Sequence, residues 1–517
     1  MPTLALLEAE GATVGAVHIY VSNIFDPSDP REHWLPYRLA NHLHVMTREQ
    51  TVREQLLFAA GERLSVRRLA ETERLLRSRN YLNDAWITPE RYDAARKQVD
   101  LAVTVRDVWT LNPNVSLGRS GGSNRSRWGL NEQNLLGSGT QLAVSRSRDV
   151  DRSSTLFSLF DSKLFGSWWQ LGLTDATNSD GKVHGLDLER PFYSLETPRA
   201  LGTVINDGTS VVSRYSGGQV RDQFRDHSRQ YSAYYGSSAG LVDGWTQRWL
   251  LGARYESAAI DAASATALIA PLPPERRYAY PYVGWQVIED RYVKAENLDL
   301  IGRTEDLYLG RSLYTEVGAS SSVLGGAHSA ILARGSGLAG WQFDPRQFLF
   351  LTSAVQGRWQ SGALENSSLN AGARYFLRYA PQRVFYAALS ATLTHALDAD
   401  QQLLLGGDNG LRGYPLRFQG GTASALLTLE NRVFTDWYPL RLVRVGGVVF
   451  FDAGRTWGRD YAGLAPLGLL KDAGLGVRFG NNRSGLGNVV HVDLSYALDA
   501  PAGVKHVQVT VTTTDRF

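Results

Sequence analysis

The chain has 517 residues, and its 54 Lys and Arg nearly balance 51 Asp and Glu, which argues against nucleic acid as a partner. It contains no cysteine, and this excludes disulfide bonds, cysteine-ligated zinc and thiol catalysis. No run reaches the ~18 to 20 apolar residues of a membrane-spanning helix, so any crossing of a membrane would use strands.

Residues 1 to 108 show a helical periodicity that the rest of the chain lacks. The start, MPTLALLEAEG, has no basic region, so we expect either a signal that has been removed or a misassigned start codon. Thr47 and Gln50 have the spacing of a capping box and predict a helix that ends at Gly61. Ser65 would cap a second helix with one apolar stripe, which consists of Val66, Leu69, Ala70 and Leu76.

Three predicted strands flank these helices. VGAVHIYV (Val14–Val21) precedes them, whereas DAWITPERY (84–92) and VDLAVTVRD (99–107) follow. In the last segment apolar and polar residues alternate, as they do in a strand with one buried face. The order β-α-α-β-β predicts a small α+β domain over residues 1–108.

Strand-length segments separated by turn signals recur from residue 109 to residue 517, and the 51 glycines of the chain fit many tight turns. The clearest hairpin covers Gln230–Glu256 and turns at Asp243–Gly244. On its second arm Trp249 and Leu251 share one face, and Arg248 lies on the other. Such faces suit a strand between lipid and a wet lumen, as in a transmembrane β-barrel.

The final stretch, VKHVQVTVTTTDRF (504–517), has the same alternation. Three valines and the terminal Phe517 share one face, which also carries Asp515. A charge on the lipid side costs little near the membrane interface, so we expect Asp515 to lie there.

An arginine lies in a glycine-rich segment, GGDNGLRGYP (406–415), between two apolar runs. The two strands predicted after it, ASALLTLENRVF and VGGVVFFDAG, would each direct a carboxylate inward, Glu430 and Asp452. Glycines permit a tight turn, so Arg412 can fold back into the lumen. We expect it to form a charge-assisted pair with Asp452, and a further contact with Glu430.

LRGY (Leu411–Tyr414), followed by FFDAG (Phe450–Gly454), resembles the paired signature of the BamA/TamA-type superfamily, with Leu411 where Val is usual. The resemblance implies periplasmic POTRA domains followed by a sixteen-stranded antiparallel outer-membrane barrel. It places one POTRA domain at 1–108 and the barrel at 109–517. It also implies that Arg412, Gly413 and Tyr414 lie on an inward-folded loop that contacts Asp452.

Two further stretches resemble the same family. NEQNLLGSG (Asn131–Gly139) is similar to the first barrel hairpin, and Phe517 is similar to the recognition signal at the end of outer-membrane barrels. The family's weak seam between first and last strands would fall near Trp109–Leu117 and Val504–Phe517. There, small threonines would support only a weak pairing.

The function that the resemblance implies is assembly or translocation without enzyme activity or a cofactor. The POTRA domain would capture client polypeptides by adding their strands to its sheet edge, and the barrel would insert or pass them through the lipid of the outer membrane. Three alternatives stay open: a two-partner-type secretion translocator, a lipid-transport barrel and a passive pore.

Other stretches invite chemical interpretations. GRSGG (Gly118–Gly122) matches the nucleophile-elbow pattern but lacks the helix that this chemistry needs. His42 and His44 have strand-like spacing without a third metal ligand nearby. An outer-membrane hydrolase would hold acid–base residues near the outer rim, where one loop would offer Asp222, Asp226 and His227.

Overall fold

The computed structural model describes residues 1–113, 115–263, 268–485 and 489–514. Its N-terminal region contains, in chain order, α1 (Leu4–Ala9), β1 (Thr13–Ser22), α2 (Leu35–Leu43), α3 (Glu49–Arg53), α4 (Val66–Arg77), β2 (Leu82–Asp93) and β3 (Gln98–Asp107). The three strands form a sheet in the order β1-β3-β2, with β1 parallel and β2 antiparallel to β3. The predicted small α+β region is therefore present.

The core of this region forms where α4 packs on the sheet. Leu69 and Leu76, from the predicted stripe, are buried with Leu101 and Val103 of the central strand. Ser65 caps α4, as predicted, because its hydroxyl accepts a hydrogen bond from the Arg68 amide. Within the described ranges, no helix is both long and apolar enough to cross a membrane.

The predicted cap at Thr47 is wrong. The Thr47 hydroxyl donates to Asp107 at 2.7 Å, so it is not available to the helix. The helix begins instead at Glu49 without a side-chain cap and ends at Arg53, well before Gly61. Helix α2 was not predicted, because its apolar residues point away from the core.

The remaining strands form the barrel and two small accessory sheets. In chain order they are β4 (Leu111–Pro113), β5 (Ser116–Ser120), β6 (Ser123–Glu132), β7 (Gln141–Arg148), β8 (Ser153–Asp161), β9 (Gln170–Asn178), β10 (Gly181–Arg190), β11 (Arg199–Ser216), β12 (Gln219–Val242), β13 (Trp245–Ala262), β14 (Arg276–Glu289), β15 (Tyr292–Glu296), β16 (Thr304–Tyr308), β17 (Arg311–Ser320), β18 (Ala330–Asp344), β19 (Gln347–Gln360), β20 (Ala363–Ala380), β21 (Arg383–His395), β22 (Leu403–Leu405), β23 (Gln419–Gly421), β24 (Ala423–Phe434), β25 (Val443–Trp457), β26 (Leu470–Asn481), β27 (Val489–Ala497) and β28 (Val507–Thr514). The pairs β15–β16 and β22–β23 are separate two-stranded sheets and are not part of the barrel wall.

The barrel closes with twenty antiparallel strands in the described part of the chain, where β4 and β5 are two segments of the first strand. The expected number, sixteen, is therefore wrong. It came from the resemblance and not from a count of strands. Five short strands, β6 to β10, follow one another between residues 123 and 190. Because each of them has only 8 to 10 residues, this part of the chain holds more strands than the expected number allows.

Alternating faces separate the outside of the barrel from its lumen. On β13, Trp249 and Leu251 are exposed on the outer face, whereas Thr246 and Arg248 are buried on the inner face. The wall therefore has the apolar outside and polar inside that the sequence predicts.

The two rims of the barrel differ in what covers them. We call the rim that meets the N-terminal region the proximal rim and the opposite one the distal rim. The resemblance implies that the stretch Asn131–Gly139 belongs to the first barrel hairpin. In the structure it forms instead the turn between β6 and β7, on the proximal rim. There the Gly137 carbonyl accepts a hydrogen bond from the Arg48 amide at 3.0 Å.

Candidate functional site

A loop of the distal rim, between β21 and β24, folds into the lumen. We call it the distal loop (residues 396–422). Its two short strands, β22 and β23, pair with each other and hold the turn that carries Arg412. Gly410 has a φ of 124°, which only glycine adopts freely. A Cβ on Gly413 would lie 2.7 Å from Cβ of Asp472, so a glycine is needed for this close approach.

Arg412 contacts two acidic side chains of the wall. Its Nε and Nη2 donate to the two carboxylate oxygens of Asp452, at 2.7 and 3.0 Å. Its Nη1 lies 3.1 Å from Oε1 of Glu430, and the guanidinium stacks over the Phe450 ring with 3.5 Å to the ring centroid. This bidentate, stacked geometry suits arginine and not lysine.

Further charges surround this pair. Asp493 lies 3.5 Å from Arg412 and binds Arg478, whose side chain is buried. Asp472 stands directly opposite Asp452 across β25 and β26. It is fully buried, and neither of its carboxylate oxygens has a hydrogen-bond partner within the described ranges.

Apolar contacts hold the rest of the turn. Leu411 is fully buried against Leu405, Phe418 and Leu470. A Cβ on Gly454 would lie 3.2 Å from Leu411, so this glycine makes room for the loop.

Tyr414 joins the distal loop to the last strands of the barrel. It is fully buried, and its hydroxyl donates to the Lys471 carbonyl at 2.9 Å. Among the predicted site residues, Phe517 lies outside the described ranges.

The distal loop also reaches the first strands of the barrel. Ser120, at the end of β5, donates its hydroxyl to the Gly407 carbonyl. Arg417 binds Asp151 of the β7–β8 turn with both terminal nitrogens. Through these contacts and those of Tyr414, the loop connects strands on both sides of the junction between β28 and β5.

Among the described residues, that junction has the fewest paired positions between neighbouring strands of the wall. In the described part of the chain, β28 and β5 share a single residue pair, Val511 with Arg119. By contrast, β27 and β28 pair continuously from Val489–Thr514 to Tyr496–Val507. The wall is thus weakly paired in the region where the resemblance placed a seam.

A second segment enters the lumen from the proximal rim. We call it the proximal hairpin (residues 290–310), and it contains β15 and β16. Leu298 and Ile301 at its tip are buried in a cluster of inward-facing side chains, which are Phe348, Phe376, Val384, Phe434, Val448, Phe450 and Val489. Asp299 binds Arg374 at 2.7 Å. This segment was not predicted, although its apolar run LDLIG (298–302) is a signal for a buried stretch.

One carboxylate connects the two segments. Oε1 of Glu430 faces Arg412 from the distal loop, and Oε2 accepts from Nε of Arg432 at 2.8 Å. Arg432 in turn donates to the Leu298 carbonyl of the proximal hairpin at 2.8 Å. Phe450 contacts both inserted segments, because its ring lies against the Arg412 guanidinium and also packs in the apolar cluster that contains Leu298 and Ile301. The two inserted segments therefore form one continuous network.

The proximal hairpin is also bound to the N-terminal region. Arg77 of α4 forms a bidentate pair with Asp306 at 2.8 and 2.7 Å, and Lys294 lies 2.6 Å from Glu73. The same two α4 residues occupy the outer edge of β2. Glu73 accepts from the Ile87 amide at 2.8 Å, and Arg77 donates to the Ala85 carbonyl at 2.7 Å.

The other candidate residues do not form one site. Gly118–Gly122 lie in the β5–β6 hairpin and are followed by a strand, so the nucleophile-elbow geometry is not formed. His44 binds Asp107 at 2.9 Å, while His42 is exposed on α2. No group of three or more possible metal ligands occurs among the described residues.

The three acid–base candidates near the distal rim are not brought together either. Asp222 binds Arg214 at 2.9 Å and the Ile269 amide at 2.7 Å. His227 pairs with Asp261 at 3.1 Å. Asp226 is the preceding residue of β12 and takes no part in this ion pair. Asp222 and His227 are thus parts of separate ion pairs, and the three residues do not form one acid–base site.

Comparisons with known proteins connect the fold to solved barrels. No family model and no curated protein matches the chain. CdiB from Escherichia coli is 11% identical, with a TM-score of 0.50 over 97% of this chain and 76% of that one. CdiB from Acinetobacter baumannii is 13% identical (TM-score 0.46; 98% and 74%), and BamA from Haemophilus ducreyi lacking POTRA domains 1–3 is 11% identical (0.40; 97% and 84%). The chain shares the fold of the Escherichia coli barrel.

Proposed function

We propose that this chain, which has the fold of the CdiB barrel, is an outer-membrane protein of the BamA/TamA-type superfamily that assembles or translocates client polypeptides. In this proposal residues 1–108 are a single POTRA domain in the periplasm and residues 109–517 are the barrel. The proximal rim then faces the periplasm and the distal rim faces the outside of the cell.

The observation that carries the proposal is the weak seam between β28 and β5 together with the loop that spans it. A passive pore needs neither feature, whereas a barrel that opens sideways needs a wall that separates at one place. The distal loop contacts both sides of this seam, through Tyr414 on one side and Ser120 and Arg417 on the other. We infer that Arg412 holds the loop, and the loop holds the seam closed.

Client capture would begin at the N-terminal sheet. Strand addition at the edge of β2 requires backbone groups that Glu73 and Arg77 now occupy. A client strand would therefore displace these two side chains, which also bind Lys294 and Asp306 of the proximal hairpin. Capture would weaken the attachment of the hairpin, and the network through Glu430 would carry the change towards Arg412.

Passage through the lumen is the second candidate, and it corresponds to a secretion translocator. The shared carboxylate of Glu430 favours this second candidate, because movement of either the distal loop or the proximal hairpin would break a contact that connects both segments. Both segments would have to leave the lumen for a client to pass. Sideways opening needs only the seam to separate.

Disulfide cross-linking can test the seam directly, since the chain has no cysteine of its own. The test pair is Arg119→Cys with Val511→Cys, which joins β5 to β28. The matched control, Leu494→Cys with Val509→Cys, joins β27 to β28. Each protein is reconstituted in liposomes, and the folding of an added unfolded outer-membrane barrel is followed by its heat-modifiable migration in gels.

We expect wild type to speed folding of the added barrel, and oxidation to abolish this only in the seam pair. Reduction should restore it. Equal activity of the oxidised and reduced seam pair would refute sideways opening. If wild type gives no acceleration over empty liposomes, assembly activity itself is refuted for this client class.

A further inference from the structure

Helix α2 presents an apolar stripe that no part of the described chain covers. Leu35, Leu39 and Leu43 follow one another at the spacing of a helical turn and are 75%, 53% and 61% exposed. The opposite face is anchored, because Tyr37 is buried against Phe25 with 4.6 Å between the ring centroids. The helix is thus held firmly by one face while its apolar face points outward.

Residues next to the stripe have the character of a membrane-interface helix. Trp34 precedes the helix and is exposed, and the basic side chains of Arg38 and His42 are exposed beside the leucines. Aromatic and basic residues around a leucine face are typical of helices that lie in the plane of a lipid surface.

Both ends of the α2 segment are fixed to the proximal rim. Before the helix, Glu32 binds Arg441 of the β24–β25 turn and Arg483 of the β26–β27 turn. After it, the Arg48 amide donates to the Gly137 carbonyl of the β6–β7 turn. In the closed barrel, β28 and β5 lie between these attachment points. Helix α2 therefore runs along the rim beneath the seam.

Neighbouring turns of the same rim expose apolar residues in a shared and unusual conformation. Leu136, Phe165 and Leu440 have φ angles of 53°, 54° and 50°, which side chains with a Cβ seldom adopt. They are 64%, 97% and 67% exposed. Three turns thus accept backbone strain while presenting a large apolar side chain to the surroundings.

We propose that α2 and these three turns form a belt that inserts into the surface of the lipid leaflet on the proximal side. The belt continues the lipid-facing wall, where Leu111 and Leu130 are exposed on the strands just above it. This continuity identifies lipid as the occupant. The basic side chains of α2 fit the anionic head groups of a phospholipid leaflet. The inference depends on the outer wall facing lipid, and it is independent of any assembly activity.

The full chain in phospholipid vesicles allows a direct test. Leu39→Cys provides the only thiol, to which the environment-sensitive fluorophore NBD is attached. The control is Ala95→Cys, in the exposed β2–β3 turn. The ten residues of β3 separate this turn from the barrel by roughly 30 Å at the rise of a strand. Vesicles contain lipids with a doxyl quencher at a shallow or a deep position of the acyl chain.

We expect loss of NBD emission at position 39 with the shallow quencher, less loss with the deep quencher, and none at position 95. A further variant, Leu35→Glu with Leu43→Glu in the labelled protein, should lose the quenching while the barrel keeps its heat-modifiable migration. Equal, low quenching at positions 39 and 95 would overturn the proposal. So would a label that is shielded from iodide in water but not quenched by lipid, since a protein partner or second copy would then cover the stripe.

Discussion

The distal loop and the proximal hairpin enter the same lumen but are held by different forces. In the distal loop the central contact is ionic, because Arg412 is surrounded by Asp452, Glu430 and Asp493. The proximal hairpin spreads its contacts over an apolar cluster, to which Leu298 and Ile301 contribute. Charge pairs are directional and fail when one partner is lost, whereas apolar packing loses stability gradually. We therefore expect a single substitution to displace the distal loop more readily than the proximal hairpin.

The largest effect is expected from Arg412→Ala, which removes the bidentate cationic partner of the buried Asp452 carboxylate. Removing one member of a buried pair costs on the order of 3–5 kcal/mol, so the distal loop should leave its position. In planar bilayers we expect wild type to be mostly closed with brief openings, and the variant to conduct more or flicker more. Arg229→Ala is the control, because its ion pair with Asp207 is exposed and involves no residue of the distal loop. Equal, steady conductance of wild type and Arg412→Ala would favour a simple pore.

A smaller effect is expected from Ile301→Ala in the proximal hairpin. The change removes buried apolar groups and should lower the free energy of unfolding by about 2–3 kcal/mol, because neighbouring side chains fill part of the gap. The conductance should change less than in Arg412→Ala. Ile331→Ala, on the exposed outer face of β18, is the matched control and should leave unfolding nearly unchanged. A conductance equal to that of Arg412→Ala would contradict the distinction between the two segments.

The link through Glu430 can be measured with a double-mutant cycle of Arg412→Ala and Arg432→Ala. Residues in one network show coupling energies of about 0.5–3 kcal/mol, so the effects on unfolding should not add. The control cycle combines Arg412→Ala with Arg254→Ala, whose side chain binds Glu316 and takes no part in the distal loop. The control should be additive. Additive effects in both cycles would show that the distal loop and proximal hairpin are independent.

The smallest effect concerns pH at the proximal rim, where Lys163 lies against Trp168 in the β8–β9 turn. Burial, together with nearby Arg79, lowers the pKa of Lys163 from 10.5 to about 7. The unfolded chain therefore binds more protons than the folded one between about pH 7 and 10.5, and stability should rise with pH across this window. Thermal unfolding should show a higher midpoint at pH 9 than at pH 7. Lys163→Gln should reduce this rise, and an identical rise in the variant would contradict the assignment.

The two segments also show why the sequence revealed one and not the other. Arg412 and Asp452 lie in short motifs whose residue types, glycines and alternation suggest an inward loop. The proximal hairpin has only ordinary apolar residues, and Leu298 finds its partners on strands up to 191 residues further along the chain. Such contacts depend on the closed barrel, which local patterns do not specify.

The number of strands and helix α2 are two further features that local sequence patterns do not specify. Local alternation predicts that a segment is a strand, but the number of strands follows from where each turn falls, and β6 to β10 are short. Helix α2 was not predicted because an apolar stripe normally indicates a face that packs on a core, whereas Leu39 faces outward. The N-terminal sheet was predictable because its strands and α4 show regular periods within about 100 residues.

The twenty-strand wall has a geometric consequence for the segments inside it. Barrel diameter grows roughly linearly with the number of strands, so this barrel should be about 25% wider than one of sixteen strands. The added cross-section has to be filled if the closed protein is not to leak. The proximal hairpin, which follows β14, places Leu298 and Ile301 in this cross-section. The number of strands and the length of the proximal hairpin are therefore matched. A shorter proximal hairpin would fill the lumen only of a narrower barrel with fewer strands.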